Sequence, residues 1–438
     1  MIAWSITPVP FNYADIDKNT IIFGTTSQIL PIIRISNELL HPLRRALVPL
    51  ELESLKRGAI DTIGYDDFGT LCDWKALEKF VEVADKRAHL LGRLGMKDMI
   101  SRTLMMHLTL SKMVHEHPEI LDEKIESPIF LSTCARAGST FLYQVLADTF
   151  DQELTANYFY ETVGGPVELP DFPWKEYTAE KFAQLSVINP PLMLLHEFTT
   201  PEDPDEDAGW YKDTMRGIVT PLVMPSMWHH ANVYQESSAE MNKNFWEMAL
   251  KVKQWKSGKR QRFMLKAPEH LLGLPYLSEN FPDAKFVTVR RDETNMYKSG
   301  LALAHKVQEM FVHPKINETL SFMDLIICHE RKALEVASQE KYDSKVMHVR
   351  FEDGLFTNTF DIVSKFAEHT NLPWDDAKQE HARIVIAKRL AWKNHRSKYQ
   401  ISDFGFDDED KITERLLTIC EDLPETVQGL EEFYNLKP

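Results

Sequence analysis

Four short apolar runs, each followed closely by an amphipathic stretch, constrain this chain more than any other feature. The runs are Ile129–Thr133, Phe263–Lys266, Lys285–Val289 and Val346–Phe351. The stretches behind them, Thr140–Thr149, His270–Asn280, Glu293–Leu303 and Thr357–His369, repeat their apolar residues at helical spacing. A β-rich run feeding a helix, repeated along a chain, predicts βα units, a parallel sheet and right-handed crossovers. The predicted class is therefore α/β, three layers built on a central parallel sheet.

The rest of the chain reads as additions to that unit. Residues 1–125 read as a mainly helical N-terminal layer. In "WKALEKFVEVADKRAHLLGRLG" the residues Leu77, Phe80, Val81, Ala84, Leu91 and Leu94 recur at helical spacing, and "SRTLMMHLTLSKMVHEHPEI" predicts a helix ended near Pro118. Residues 126–400 hold the α/β core. Residues 151–260 interrupt it with prolines and with Phe159, Tyr160, Trp174, Tyr177, Trp210, Tyr211, Trp228, Tyr234, Trp246 and Trp255. Such an insertion reads as a helical cap over the sheet's C-terminal edge, with most of the aromatics in a small subcore and a few lining a pocket. Residues 401–438 read as C-terminal helices packed on the body.

Charge narrows the partners. Against 50 Lys and Arg stand 66 Asp and Glu, a net charge of −16. That disfavours nucleic acid and anionic lipid as general partners, so an anionic ligand would need a local cluster of Arg, Lys and backbone N–H. Cys72, Cys134, Cys328 and Cys420 are far apart and form no CxxC pair. The spacing fits neither a disulfide framework nor a zinc site and suggests a reducing compartment. The N-terminus shows no basic segment ahead of an apolar core, and no apolar run is long enough to cross a bilayer. The expectation is a cytoplasmic protein.

The first βα turn, in "SPIFLSTCARAGSTFLYQVLADTF" (residues 127–150), is where an anion would sit. A Walker A loop needs G-x-x-x-x-G-K-[ST]; with Gly138 as its second glycine, Thr133 replaces the first and Ser139 the lysine. What remains is Arg136, Gly138, Ser139 and Thr140 at a helix N-terminus, where N–H groups and the helix dipole attract an anion. Ser or Thr ahead of a helix is also an ordinary N-cap, and both readings stay open on this turn alone. A second cluster adds weight. In "RFMLKAPEHLLGLPYLSENFPDAKFVTVRRDETNMYKSGLAL" one strand ends at Lys266 and the next at Arg290 and Arg291, with Ser299 two turns into the following helix. Adjacent parallel strands would bring Lys266 and Arg291 to the edge that carries the loop.

These stretches resemble sulfotransferases that use 3′-phosphoadenylyl sulfate (PAPS). "CARAGSTFL" resembles their 5′-phosphosulfate loop, and "RRDETNMYKS" their 3′-phosphate motif, an Arg followed eight residues later by a Ser. "LKAPEHLLGLPYLSENFPDAKFV" and "HRSKYQISDFGF" are similar to blocks of the bacterial-type members, and the likeness runs over roughly residues 65–415. The resemblance implies a P-loop-like fold with PAPS as donor and 3′,5′-adenosine bisphosphate (PAP) as product. It implies that Arg136, Ala137, Gly138, Ser139, Thr140 and Phe141 hold the 5′-phosphosulfate and that Arg291 and Ser299 hold the 3′-phosphate. Lys266 would face the reacting centre. Arg396 and Lys398, in the basic run with Lys393 and His395, would lie near the donor. The chain departs from the pattern at Ala137, where a Ser or Thr is usual, at Glu293, where a Pro is usual, and at Pro268, where the small cytosolic members carry a catalytic histidine.

Sulfuryl transfer is an in-line displacement served by positioning and positive charge. Arg136 and Lys266 can supply that charge, and no carboxylate constellation calls for a metal. For the general base, Glu161 in "NYFYETVGG" leads, His196 is second and His270 third. The acidic block Glu202, Asp203, Asp205, Glu206 and Asp207 suggests a cationic small-molecule acceptor, such as a guanidinium alkaloid of the saxitoxin type, and with it secondary metabolism and toxin biosynthesis. An exposed acidic loop is the plainer reading of that block. Alternatives are a glycan or lipid acceptor, a P-loop kinase, and a non-catalytic nucleotide-binding protein.

Overall fold

Strand β2 (Ile129–Leu131) is the middle of a five-stranded parallel sheet of order β3-β4-β2-β5-β6. Its neighbours are β4 (Phe263–Lys266) and β5 (Lys285–Arg290), flanked by β3 (Thr155–Ala156) and β6 (Val346–Arg350). The structure is a computed structural model, and it describes residues 22–27, 29–132, 136–167, 173–190, 192, 195, 200–227, 236–391 and 398–420. Every residue of β2 and β4 is buried, as strands covered on both faces require. Edge strand β6 is instead only partly covered, with Val346 and Val349 buried and His348 and Arg350 exposed. Leu131 pairs with Lys266 on one side and with Val287 on the other, so the ends of β4 and β5 flank the end of β2. The chain leaves β2 toward one side of the sheet and reaches β5 on the other. That switch point opens a crevice at the strands' C-terminal ends.

Helices Ser139–Thr149, Glu293–Glu309 and Thr359–Thr370 follow β2, β5 and β6, as predicted. The expected helix at 270–280 is two pieces, Pro268–Leu272 and Leu274–Asn280, separated at Gly273. Pro275 has no N–H to continue the first ladder, so the second piece starts afresh around it. The N-terminal pattern also divides. Helix Trp74–Arg87 buries Leu77, Phe80, Val81 and Ala84, then the chain breaks at Ala88 and restarts as helix Leu90–Glu116 with His89 capping Gly92 N–H. The break shifts the helical phase, and Leu94, expected on the buried face, is 52% exposed.

Of the cap aromatics, Trp174, Trp210, Tyr211 and Trp246 are buried core residues, whereas Trp228 and Tyr234 lie outside the described residues. One apolar core runs from Leu50 to Ile419. At its C-terminal end, helix Glu409–Thr418 packs against helix Glu293–Glu309. The disulfide Cys328–Cys420, with Cα atoms 5.5 Å apart, ties that end to helix Ile316–Ala337. The sequence reading expected no disulfide; the two cysteines are 92 residues apart, and only the packing of the C-terminal helix makes them neighbours. A two-stranded parallel pair joins β1 (Ile22–Phe23) to β7 (Lys398–Tyr399). Among the described residues no helix is long and apolar enough to cross a membrane.

Candidate active site

The turn after β2 is left-handed at Arg136 (φ 68°) and at Gly138 (φ 84°). Gly138 is needed for space as well: a Cβ there would lie 2.7 Å from Leu355 Cδ2 and 3.2 Å from the Phe351 ring. Helix Ser139–Thr149 starts directly behind it with no side chain capping its first turn. Its leading N–H groups are thus donors aimed into the crevice, the usual setting for a bound anion. Ala137 and Phe141 are buried, and Phe141 packs edge-on to Phe356, so these two offer backbone rather than side-chain polarity.

On the β5 side the turn meets Arg291 and Ser299. Arg136 Nε donates to Ser299 Oγ at 2.9 Å, and its Nη2 donates to the carbonyl of Leu195. Arg291 Nη1 donates to the Arg136 carbonyl at 3.1 Å and stacks 4.4 Å from the Phe351 ring centre. Tyr399, delivered by β7, donates its hydroxyl to Ser299 Oγ at 3.1 Å. Burial, with Arg136 close by, pulls the Arg291 guanidinium below its ordinary range, although Tyr399, Glu352 and Asp292 act the other way. Neither Arg136 nor Arg291 forms an ion pair with a carboxylate among the described residues. Two neighbouring guanidinium groups, one of them bonded to a serine hydroxyl that also accepts from Tyr399, suit a multiply charged anion such as phosphate. The Arg136 side chain thus bonds Ser299 and the Leu195 carbonyl, while Arg291 bonds the Arg136 backbone carbonyl.

On the β4 side the polar groups differ. Lys266, 2% exposed, ends its strand with Nζ 3.2 Å from Thr140 Oγ1 and 2.6 Å from Glu206 Oε2. Its backbone N–H donates to Asp207 Oδ1 at 2.7 Å. Asp207, fully buried, also holds His270 Nε2 at 2.9 Å, and His270 Nδ1 lies 3.1 Å from the Tyr211 hydroxyl. With Nε2–H given to Asp207, Nδ1 is the acceptor for Tyr211. Burial holds that phenol well above its ordinary range, so it stays protonated. His270 is therefore a fixed structural link between the cap and β4. Beside it, burial reinforced by Glu206 and Asp207 pushes the Glu269 carboxyl up to about 8. One Glu269 oxygen accepts the Ile218 N–H, and Oε2 has no hydrogen-bond partner among the described residues.

Glu161 is engaged elsewhere. Its Oε2 accepts the Tyr158 N–H, capping helix Phe159–Gly164, and its Oε1 pairs with Lys253. Lys398 is exposed on β7, while His196 and Arg396 lie outside the described residues. The acidic block is not a bare loop. Asp203 pairs with Arg389, Asp205 is buried, Glu206 meets Lys266, Asp207 meets His270, and Glu202 alone is classed as exposed. Sequence reasoning did not find the Glu206–Lys266 pair or Tyr399. The sole hint was the density of acids in "PEDPDEDAGW", because an acidic run containing two prolines and ending in a tryptophan is a poor candidate for plain solvated surface.

The family model described as "Sulfotransferase family" matches residues 128–376. No curated protein matches the sequence. Among solved structures, sulfotransferase STF1 from Mycobacterium tuberculosis H37Rv is similar at 20% identity and a TM-score of 0.67, over 84% of this chain and 98% of that one. Sulfotransferase STF9 from Mycobacterium avium is similar at 18% identity and a TM-score of 0.70, over 85% of this chain and 96% of that one.

Proposed function

Because the chain belongs to the sulfotransferase family, we propose that it moves a sulfuryl group from PAPS to a hydroxyl or amine nitrogen of a small-molecule acceptor. The observation that carries the donor assignment is the crevice's two poles on either side of one loop. Arg136, Arg291, Ser299 and Tyr399 form a pole rich in positive charge and hydroxyls, suited to the 3′-phosphate. The first turn of helix Ser139–Thr149, with Thr140 and Lys266, forms the other and suits the 5′-phosphosulfate. In this role Lys266 stabilises charge on the leaving phosphate oxygen, and the helix N–H groups hold the transferred group in line.

A kinase reading has less support, because the loop lacks the Walker lysine. For the acceptor, the cationic guanidinium class drew on the acidic block, and Asp203, Glu206 and Asp207 are committed to Arg389, Lys266 and His270. A neutral hydroxyl acceptor is thereby favoured over a saxitoxin-type alkaloid, with glycan and lipid hydroxyls the further classes to screen. The test is transfer of radiolabelled sulfuryl from PAPS to panels of phenols, sterols, sugars and guanidines. A labelled product formed by wild type and lost in Lys266→Ala supports the reading; labelled product undiminished in Lys266→Ala contradicts the role given to Lys266.

A further inference from the structure

A sulfuryl acceptor must surrender a proton as it attacks. We infer that Glu206 receives it, an inference that rests on the sulfotransfer reading. Glu206 Oε2 stands 2.6 Å from Lys266 Nζ, and the same ammonium lies 3.2 Å from Thr140 Oγ1. Carboxylate, cation and the first turn of the loop helix therefore meet at one point, where the reacting group must lie. The position is held from behind. The Glu206 carbonyl accepts from Asn157 Nδ2 and Thr162 Oγ1, and the next residue, Asp207, is locked to the β4 backbone and to His270. The Lys266 side chain is 2% exposed and that of Glu206 is 25% exposed. The carboxylate is the more accessible partner of the pair and borders the side on which an acceptor arrives and a proton leaves.

Of the other carboxylates near the crevice, Glu161 and Asp207 are spent, and Glu269 is buried with its carboxyl raised to about 8, so that it keeps its own proton. Both oxygens of Glu161 are taken, by Lys253 and by the Tyr158 N–H, and Asp207 is fully buried between Lys266 N–H and His270. The step balances without a redox change. The acceptor's O–H or N–H proton passes to Glu206, and the lone pair it leaves forms the new bond to sulfur. The bond from sulfur to the 5′-phosphate oxygen breaks, and its electron pair stays on that oxygen beside Lys266. A carboxylate facing an ammonium is a reluctant proton acceptor. The phosphosulfate draws on the charge of Lys266, so donor binding makes Glu206 more basic in the same event.

The test uses the full chain and Glu206→Gln, with PAP as binding probe and PAP release from PAPS as the rate, water and 2-naphthol serving as acceptors. Glu206→Gln is expected to bind PAP within about twofold of wild type and to release PAP at least about 100-fold more slowly, the range of general-base catalysis, with the acidic limb of the pH–rate profile lost. If that variant binds no PAP, Glu206→Asp serves instead and is expected to bind PAP normally and turn over about tenfold more slowly, its base being set back by one methylene. Turnover near the wild-type rate in the variant that binds overturns the inference. So does a wild type that binds PAP and releases none from PAPS with either acceptor, since Glu206 beside Lys266 would activate whichever hydroxyl occupies that place. A wild type that fails to bind PAP at all removes the sulfotransfer reading instead.

Discussion

Gly138 and Glu269 are the two residues whose substitution most sharply separates structure from chemistry. At Gly138 the left-handed backbone and the nearby Leu355 leave no room for a methyl group. Gly138→Ala is expected to cost roughly 2–4 kcal/mol, combining backbone strain and overpacking, and to abolish PAP binding; a thermal melt and a titration check both. Glu269 sets a pH dependence. Its carboxyl, raised to about 8 in the fold, keeps its proton there while the unfolded chain loses it near pH 4–5. Its contribution to stability is complete below that lower value and is lost as pH rises toward about 8. The wild-type Tm should fall over that window, and Glu269→Gln should flatten the slope; parallel curves would contradict the assignment. At this scale Lys266, Arg291 and Ser299 were legible because strand ends and helix turns announce them. Glu206 and Tyr399 were not, since their partners, Lys266 and Ser299, are 60 and 100 residues away in the chain.

The elements divide along similar lines. Strands β2, β4, β5 and β6 and the helices after them could be read because apolar runs and helical spacing are local signals. Strands β1, β3 and β7, two residues each, carry no such signal. They exist because neighbouring backbone is already in place, and β7, which carries Tyr399, pairs with β1. The C-terminal helix is held by interactions that sequence spacing could not show: Arg415 with Asp324 and Tyr297, Lys298 with Glu409, and Cys328 with Cys420. Because helix Glu293–Glu309 carries both Ser299 and Lys298, this strap backs the cluster of Arg136, Arg291 and Ser299. Reduction, or Cys420→Ala, removes a cross-link over 92 residues. It should destabilise the protein by about 2–4 kcal/mol. A Tm unchanged by reductant would show that the bond contributes nothing to stability.

Over the whole molecule, an acidic chain carries two neighbouring arginines at one edge of its sheet. The net charge is −16, yet Arg136 and Arg291 lie together with no carboxylate bonded to either among the described residues. The parallel sheet makes this possible by gathering the ends of β2, β4 and β5 at one edge, a property of topology that the βα pattern already implied. What the pattern could not convey was the route of the insertion, which threads its acids back beneath the crevice so that one of them meets Lys266. The central claim is the donor site. Its most direct test is calorimetric titration of wild type and Arg291→Ala with PAP, beside ATP with magnesium. The account predicts tight PAP binding by wild type, weakened about 10- to 100-fold in Arg291→Ala as one charge-assisted contact is lost, with ATP–magnesium bound poorly by both. Equal PAP affinity in the two proteins, or a wild type that prefers ATP–magnesium, would contradict it.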